Sequence, residues 1–362
     1  MHDITCSHCG CVLGEDQFEF EGEVYCEDCL EELTVVCAHC GRRIDRDSNE
    51  GNEEIALCSA CYTRFYTNCS RCGRLITEDE AYYESDDDDT PFCYRCHLEN
   101  SIIHSYYYKP DPIFYGKGSR YFGVELEVDD AGENNLHAKD VADMANTSSE
   151  LIYCKRDGSL NDGFEIVTHP MTLEYHRSQM PWQEILSRLK EMGYRSHQTR
   201  TCGLHCHVNR NSLGETVQEQ DEAVARILYL VEKHWEELVK FSRRTQSQLD
   251  RWASRYGFHN SPKELLKRAK GGSVGRYACI NLQNEDTIEF RIFRGTLKYN
   301  SIIAALQLVN RLCDAAVSLC DQDIQELSWT SFVSACTEPE LIQYLKERRL
   351  YVNDPVESEA EL

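Results

Sequence analysis

The chain alternates between short runs of period two and longer runs of helical period, and residues 121–129 (YFGVELEVD) show the first kind most clearly. In a strand this spacing places Val124, Leu126 and Val128 on one face and Glu125 and Glu127 on the other. Ile152, Tyr153 and residues 164–168 predict two more strands joined through a turn at Asp157-Gly158, with Glu165 among apolar β-formers. In TCGLHCHVN, His205 and His207 share a face, opposite Leu204, Cys206 and Val208. Residues 277–282 and 287–293 predict a hairpin. Its second strand carries Glu289 and Arg291 on one face, Ile288, Phe290 and Ile292 on the other, and Arg294 at its end. Helical spacing marks residues 137–146, 180–192, 221–241 and 301–319. Ser261, Pro262 and Glu264 form a capped helix start.

Taken singly, each polar strand position has a plain reading. Glu125 and Glu127 are either an exposed strand face or a pair offered to a cation, because side-by-side carboxylates repel and are costly to desolvate. Glu165 is either a surface residue or a third charge aimed at the same cavity. A lone His-x-His is weak, though histidines at that spacing do contact metals and phosphates. Residues 242–255, with Arg243, Arg244, Arg251 and Arg255, either face an anion or form a solvated helix. The loop GGSVGR is either a linker or a phosphate cradle. Four strands with polar groups on one face suggest a sheet curved around a charged cavity. Carboxylates and a histidine there suit hard divalent ions, and arginines suit phosphates.

Composition sets the N-terminal third apart. Net charge is −24, and residues 1–105 hold 24 acidic and 7 basic side chains. That balance argues against nucleic-acid binding. No apolar run reaches membrane-spanning length and no basic-then-apolar leader opens the chain, so no membrane role is expected. Of 20 cysteines, 13 precede residue 97, and 12 of these form Cys-x-x-Cys pairs. The pairs are Cys6/Cys9, Cys26/Cys29, Cys37/Cys40, Cys58/Cys61, Cys69/Cys72 and Cys93/Cys96. They make three repeats, each with two pairs separated by 16, 17 or 20 residues.

Each repeat has too few apolar residues for a core, and four thiolates on zinc supply the missing folding energy. The repeats resemble tandem zinc-ribbon or LIM-like modules, over residues 1–35, 36–66 and 67–105. Sharing of ligands between neighbouring repeats is the alternative pairing. Cys11 is a spare thiol or a minor packing residue, and His8 and His39 are exposed inside knuckles. Closed four-thiolate sites are structural, so these modules are expected to dock a protein. Residues 84–89 (ESDDDD) read as a solvated hairpin tip, 106–118 as a linker, 119–350 as one catalytic-sized domain and 351–362 as an acidic tail. Metal-bound thiolates suit a reducing cytoplasm.

Four motifs in order, GVELEVD, RDGSL…GFEIVTHP, GLHCHVN and TIEFRIFRGTL, resemble the amidoligase family of carboxylate–amine ligases. The resemblance covers residues from about 120 to 320 and implies an α+β fold, with an antiparallel glutamine-synthetase-like sheet and outer helices. It implies that Glu125, Glu127, Glu165, His205 and Glu289 bind Mg²⁺ or Mn²⁺. By the same resemblance His207, Arg291 and Arg294 contact ATP or acyl-phosphate oxygens, and Asp157 and Ser159 position the carboxylate substrate. Glu127, Glu165, Arg291 and Arg294 are the implied catalytic set. The implied reaction phosphorylates a carboxylate with ATP, after which an amine attacks the acyl phosphate to form an amide or isopeptide bond. The competing readings are an interaction protein with an inactive ligase-like domain, and a metallohydrolase that needs no ATP.

Overall fold

The computed structural model describes residues 4–83, 89–100, 102–271 and 275–351. Residues 84–88 of the acidic run, 272–274 of the glycine-rich loop and the tail from 352 lie outside the described residues. The chain divides into two compact units, Met1–Ser101 and Ile102–Leu362.

Three small hairpins run through the first unit: β1 (Phe18–Phe20) with β2 (Glu23–Tyr25), β3 (Thr34–Val36) with β4 (Arg43–Asp45), and β5 (Tyr66–Asn68) with β6 (Leu75–Thr77). The pairs Cys37/Cys40 and Cys69/Cys72 lie in the turns β3–β4 and β5–β6. The glycine after each first pair (Gly10, Gly41, Gly73) has φ of +74°, +74° and +70°, a left-handed conformation open to glycine at little cost. Its amide donates back to the first cysteine's carbonyl in every repeat. Cys26 and Cys58 cap the helices α1 (Glu27–Leu33) and α2 (Ser59–Phe65), and Cys93 precedes α3 (Tyr94–Asn100). Thr34 and Val35 pair with Asp45 and Ile44, so β3 belongs to the second repeat's hairpin although its first two residues precede position 36.

The second unit holds β7 (Ile103–His104), β8 (Phe122–Val128), β9 (Ile152–Lys155), β10 (Phe164–Thr168), β11 (Gly203–Asn209), β12 (Ile280–Asn281) and β13 (Thr287–Arg294). They form one seven-stranded sheet in the order β12-β13-β11-β8-β10-β9-β7. Every pairing is antiparallel except β7 with β9. Phe122, Val124, Leu126 and Val128 of β8 are buried, together with Phe164, Ile166, Leu204, Cys206, Val208, Ile288 and Phe290 of its neighbours. They join one core with the helices α4 (Asn135–Ala145), α5 (Leu173–Ser178), α6 (Trp182–Glu191), α7 (Val217–Lys233), α8 (Trp235–Ser242), α9 (Gln246–Trp252), α10 (Pro262–Lys270) and α11 (Tyr299–Ser318). Ser261 caps α10 through the Glu264 amide, as its sequence predicts.

Two expectations are corrected. The single helix over 221–241 is two, α7 and α8, broken at His234 (φ −104°, ψ 34°), whose buried ring bonds the Leu327 carbonyl at 3.0 Å. Ile103 and His104, expected in the third module, form β7 and pair with β9 in the second unit, and within the expected linker Tyr115 bridges to Met171 of that same unit. Helix α11 has the length and composition of a membrane span, but twelve of its 20 residues are buried. It packs on β11, α5 and α7, so the fold already covers it.

Candidate active site

The cleft face of the sheet is set by strand register. Glu165 pairs across β10 with Glu127 of β8 on one side and with Lys155 of β9 on the other. One step along, Glu125 pairs with His205, and one step further Gly123, His207 and Glu289 stand in a row over β8, β11 and β13. The β11–β13 register shifts between Leu204 and Cys206. The four strands with polar faces in the sequence are thus consecutive in the sheet. Period-two alternation places all these groups on the face opposite the core.

The contacts are close. His205 Nδ1 lies 3.0 Å from Glu125 Oε2 and 3.6 Å from Glu289 Oε1, and His207 Nε2 lies 3.0 Å from Glu125 Oε1. His205 Nε2 is 3.8 Å from Glu127 Oε1, and Glu127 also accepts from the Gly203 amide. Asn281 donates to Glu289 at 2.8 Å, and Arg291 pairs with the same carboxylate. Gly203 leaves room for its neighbours, since a Cβ there would overlap the Arg244 guanidinium and the His205 ring unless they shifted.

Burial and charge drive the carboxylates apart. For Glu125 burial raises the pKa, but His207 and His205 outweigh it and hold the group well below the usual carboxylate range. Burial pushes Glu127 up, and Asp157 adds to the rise. Burial followed by Glu125 pushes Glu165 well above the usual range, despite Lys155 Nζ at 3.3 Å from its Oε2. Among the described residues, neither that Oε2 nor the buried Arg291 Nε has a hydrogen-bond partner. Burial lowers Arg244 to about 10, against the pull of Glu127.

These donors fit divalent cations. Glu125, Glu165 and His205 bring ligand atoms within 4.8 Å of one another, and so do Glu125, His207 and Glu289, so Glu125 is common to two candidate positions. Hard oxygens dominate both sets, as Mg²⁺ or Mn²⁺ requires. His207, expected to contact phosphate, falls in the second set.

The cavity above this face has a volume of about 1460 Å³. Asp157, Ser159 and Arg291 line it as expected, together with Lys155, Arg244, Asn281, Tyr153 and the stretch expected as linker, including Tyr106 and Phe114. Lys155 Nζ lies 5.6 Å from the Tyr106 ring, and Arg276 donates to the Tyr106 hydroxyl at 3.0 Å. Arg294 stands apart. Its Nη1 donates to the Arg243 carbonyl, and it borders a separate small cavity with His197, Arg243 and Tyr344. Arg255 pairs with buried Glu232 at 2.8 Å, and Arg251 lies over Trp252, so neither is left to face an anion in the cleft. Lys155 escapes a sequence reading that ends the strand at Tyr153; the same alternation carried two residues further places it in the cleft. Arg244 follows a helix end, and only tertiary packing brings it in.

In the first unit, Cys37, Cys40, Cys58 and Cys61 form one group able to hold a metal, and Cys69, Cys72, Cys93 and Cys96 another. The first repeat differs: Cys6, Cys9 and Cys26 gather with Cys11, the thiol left over from the Cys-x-x-Cys pairs. Cys29 meets the thiols of Cys26, Cys9 and Cys6 as well. No thiols from different repeats are mixed in these three groups. His39 stacks on Phe65 with ring centroids 4.3 Å apart.

Comparison with known proteins agrees with the motifs. No curated protein matches the chain. Among solved structures, a bifunctional glutathione synthetase from Pasteurella multocida aligns at 13% identity with a TM-score of 0.34, over 63% of this chain and 46% of that one. The chain thus spans less than half of that protein. Residues 119–313, more than half of the chain, match the family described as "Putative amidoligase enzyme". The chain belongs to the amidoligase family.

Proposed function

We propose that the second unit is an ATP-dependent carboxylate–amine ligase working through an acyl phosphate. The observation that carries this reading is the pair of cation positions sharing Glu125, set beside Lys155, Arg244 and Arg291 on one sheet face. Two divalent ions held by Glu125, Glu165, His205, His207 and Glu289 would neutralise triphosphate oxygens and polarise the transferred phosphoryl group.

The side chains then have distinct tasks. Arg291 and Arg244 bind phosphate oxygens and oppose the charge that develops during transfer. Arg294, whose Nη1 donates to the Arg243 carbonyl, takes no part in this scheme. Asp157 and Ser159 orient the substrate. A substrate carboxylate oxygen bonds to the γ-phosphorus, the bridging P–O bond breaks, and ADP leaves. The amine nitrogen then bonds to the acyl carbon, the C–O bond breaks, and inorganic phosphate departs with the electron pair. The amine proton passes to Glu127, which stands beside His205 on the cleft face. We read the sheet as curved around this cleft in the glutamine-synthetase manner.

The acidic, zinc-stapled first unit is read as a dock for a protein partner or protein substrate, in a reducing cytoplasm. Because β7 belongs to the second unit, a truncation that tests docking should end at residue 101. The catalytic reading is tested by calorimetric titration with ATP. Wild type should bind ATP with Mg²⁺ and weakly without it, and Glu125→Gln should lose roughly tenfold or more. Binding that is indifferent to both Mg²⁺ and the substitution would contradict the reading.

A further inference from the structure

The three repeats are built alike, and one of their differences falls beside the metal position. Cys9-Gly10-Cys11 in the first corresponds to Cys40-Gly41-Arg42 and Cys72-Gly73-Arg74 in the others. The backbone there is the same in all three: the carbonyls of Cys11, Arg42 and Arg74 accept from Cys6, Cys37 and Cys69 at 2.8 Å. Only the side chain changes, from a thiol to a guanidinium.

The extra thiol is within reach of the metal position. Ligand atoms of Cys6, Cys9, Cys11 and Cys26 lie within 4.8 Å of one another, and the Cys9 and Cys26 sulfurs are 3.8 Å apart. Cys29 meets the same three thiols, Cys26, Cys9 and Cys6, from the start of α1. Three thiols are therefore common to two possible sets of four. Tetrahedral zinc takes four thiolates and leaves a fifth out. Cys29 is buried and Cys11 exposed, so the two candidates approach from the inside and the outside of the module.

We propose that the first module is a ligand-exchange zinc site, in which Cys6, Cys9 and Cys26 stay bound while Cys11 and Cys29 alternate as the fourth ligand. The proposal rests on the reading of these clusters as zinc sites. In the exchange one Zn–S bond forms and another breaks. The incoming thiol releases its proton to solvent, and the displaced thiolate takes one up. An internal thiol that enters as another leaves gives the metal an associative route out, which Arg42 and Arg74 cannot supply. The first module is thereby suited to hand its zinc to an outside thiol or chelator while the other two stay closed.

The test uses the full-length protein, with zinc counted by native mass spectrometry and its release followed with the chelator 4-(2-pyridylazo)resorcinol. Wild type should hold three zinc ions, one per cluster, with one leaving roughly tenfold faster or more. Cys11→Arg, which copies the other repeats, should keep all three and lose the fast phase. Cys29→Ser should also keep three, whereas Cys61→Ser in the second module should keep two. Fewer than three zinc ions in wild type overturns the zinc reading itself. Three zinc ions without a fast phase, a fast phase that survives Cys11→Arg, or only two ions in Cys29→Ser overturns the exchange alone.

Discussion

Glu165 stands directly between Glu127 and Lys155 across three neighbouring strands, and its carboxylate meets the lysine ammonium at 3.3 Å. Lys155 is the cation paired with Glu165 in that row. Lys155→Met should therefore destabilise the fold, and increasingly as pH rises, because Glu165 is already held toward its neutral form and loses the cation that offsets its charge. Adding Glu165→Gln to it should cost much less than the sum of the two single changes. Millimolar Mg²⁺ should recover part of the Lys155→Met loss if the carboxylates hold a cation. Denaturant melts of the four proteins, with and without Mg²⁺, check this; strict additivity would contradict the pairing.

Gly203→Ala tests how closely the site is packed. The added methyl group meets the Arg244 guanidinium and the His205 ring, so both must shift. Mg²⁺-dependent ATP binding should weaken roughly tenfold or more, with a smaller change in melting temperature. Unaltered binding would show that His205 and Arg244 are not held where the cleft needs them.

Arg244→Met separates phosphate binding from packing. The guanidinium is buried, and its Nε donates to the Phe293 carbonyl at 3.1 Å. If it also meets phosphate, the variant should lose affinity for ATP more than for AMP. Equal losses for both nucleotides would assign Arg244 a packing role.

His176 gives the fold a dependence on pH. It is fully buried, its Nε2 bonds the Phe122 carbonyl at 3.0 Å, and burial lowers its pKa to about 4. The unfolded chain takes up a proton near pH 6.5 that the folded chain refuses. Stability from this group is therefore present above about 6.5 and falls as pH drops toward about 4, by about 3 kcal/mol in all. His176→Phe removes that share, and the Phe122 carbonyl keeps the Met171 amide as donor. Urea melts from pH 7.5 to 4 should show the wild type losing more than the variant; parallel curves would contradict the assignment.

Period-two alternation makes most of the site legible in the sequence itself. Glu125, Glu127, Glu165, His205, His207, Glu289 and Arg291 sit on strands whose facing follows from the residue pattern alone. Cys-x-x-Cys spacing does the same for the thiol clusters of the second and third repeats, but does not single out Cys11 in the first. Strand order is not legible, and it is the order β13-β11-β8-β10 that brings the groups together. Simple alternation from Glu289 and Arg291 already sets position 294 on the other face; Arg294 enters the expected site through the family resemblance alone, and its Nη1 donates to the Arg243 carbonyl. Tyr106 reads as linker in a stretch dense in tyrosine and proline, since nothing local reports β7 pairing with β9. The break at His234 arises from a contact 93 residues away with Leu327, which helical periodicity cannot register.

The most direct measurement of the central claim is ADP release from Mg-ATP by the full-length protein, against pools of amino acids, polyamines and peptides. The ligase reading predicts release that requires both a carboxylate and an amine, forms an amide product, and is lost in Glu127→Gln. Nucleophile-independent ATP hydrolysis unaffected by Glu127→Gln, or amide-bond cleavage without ATP, would contradict it.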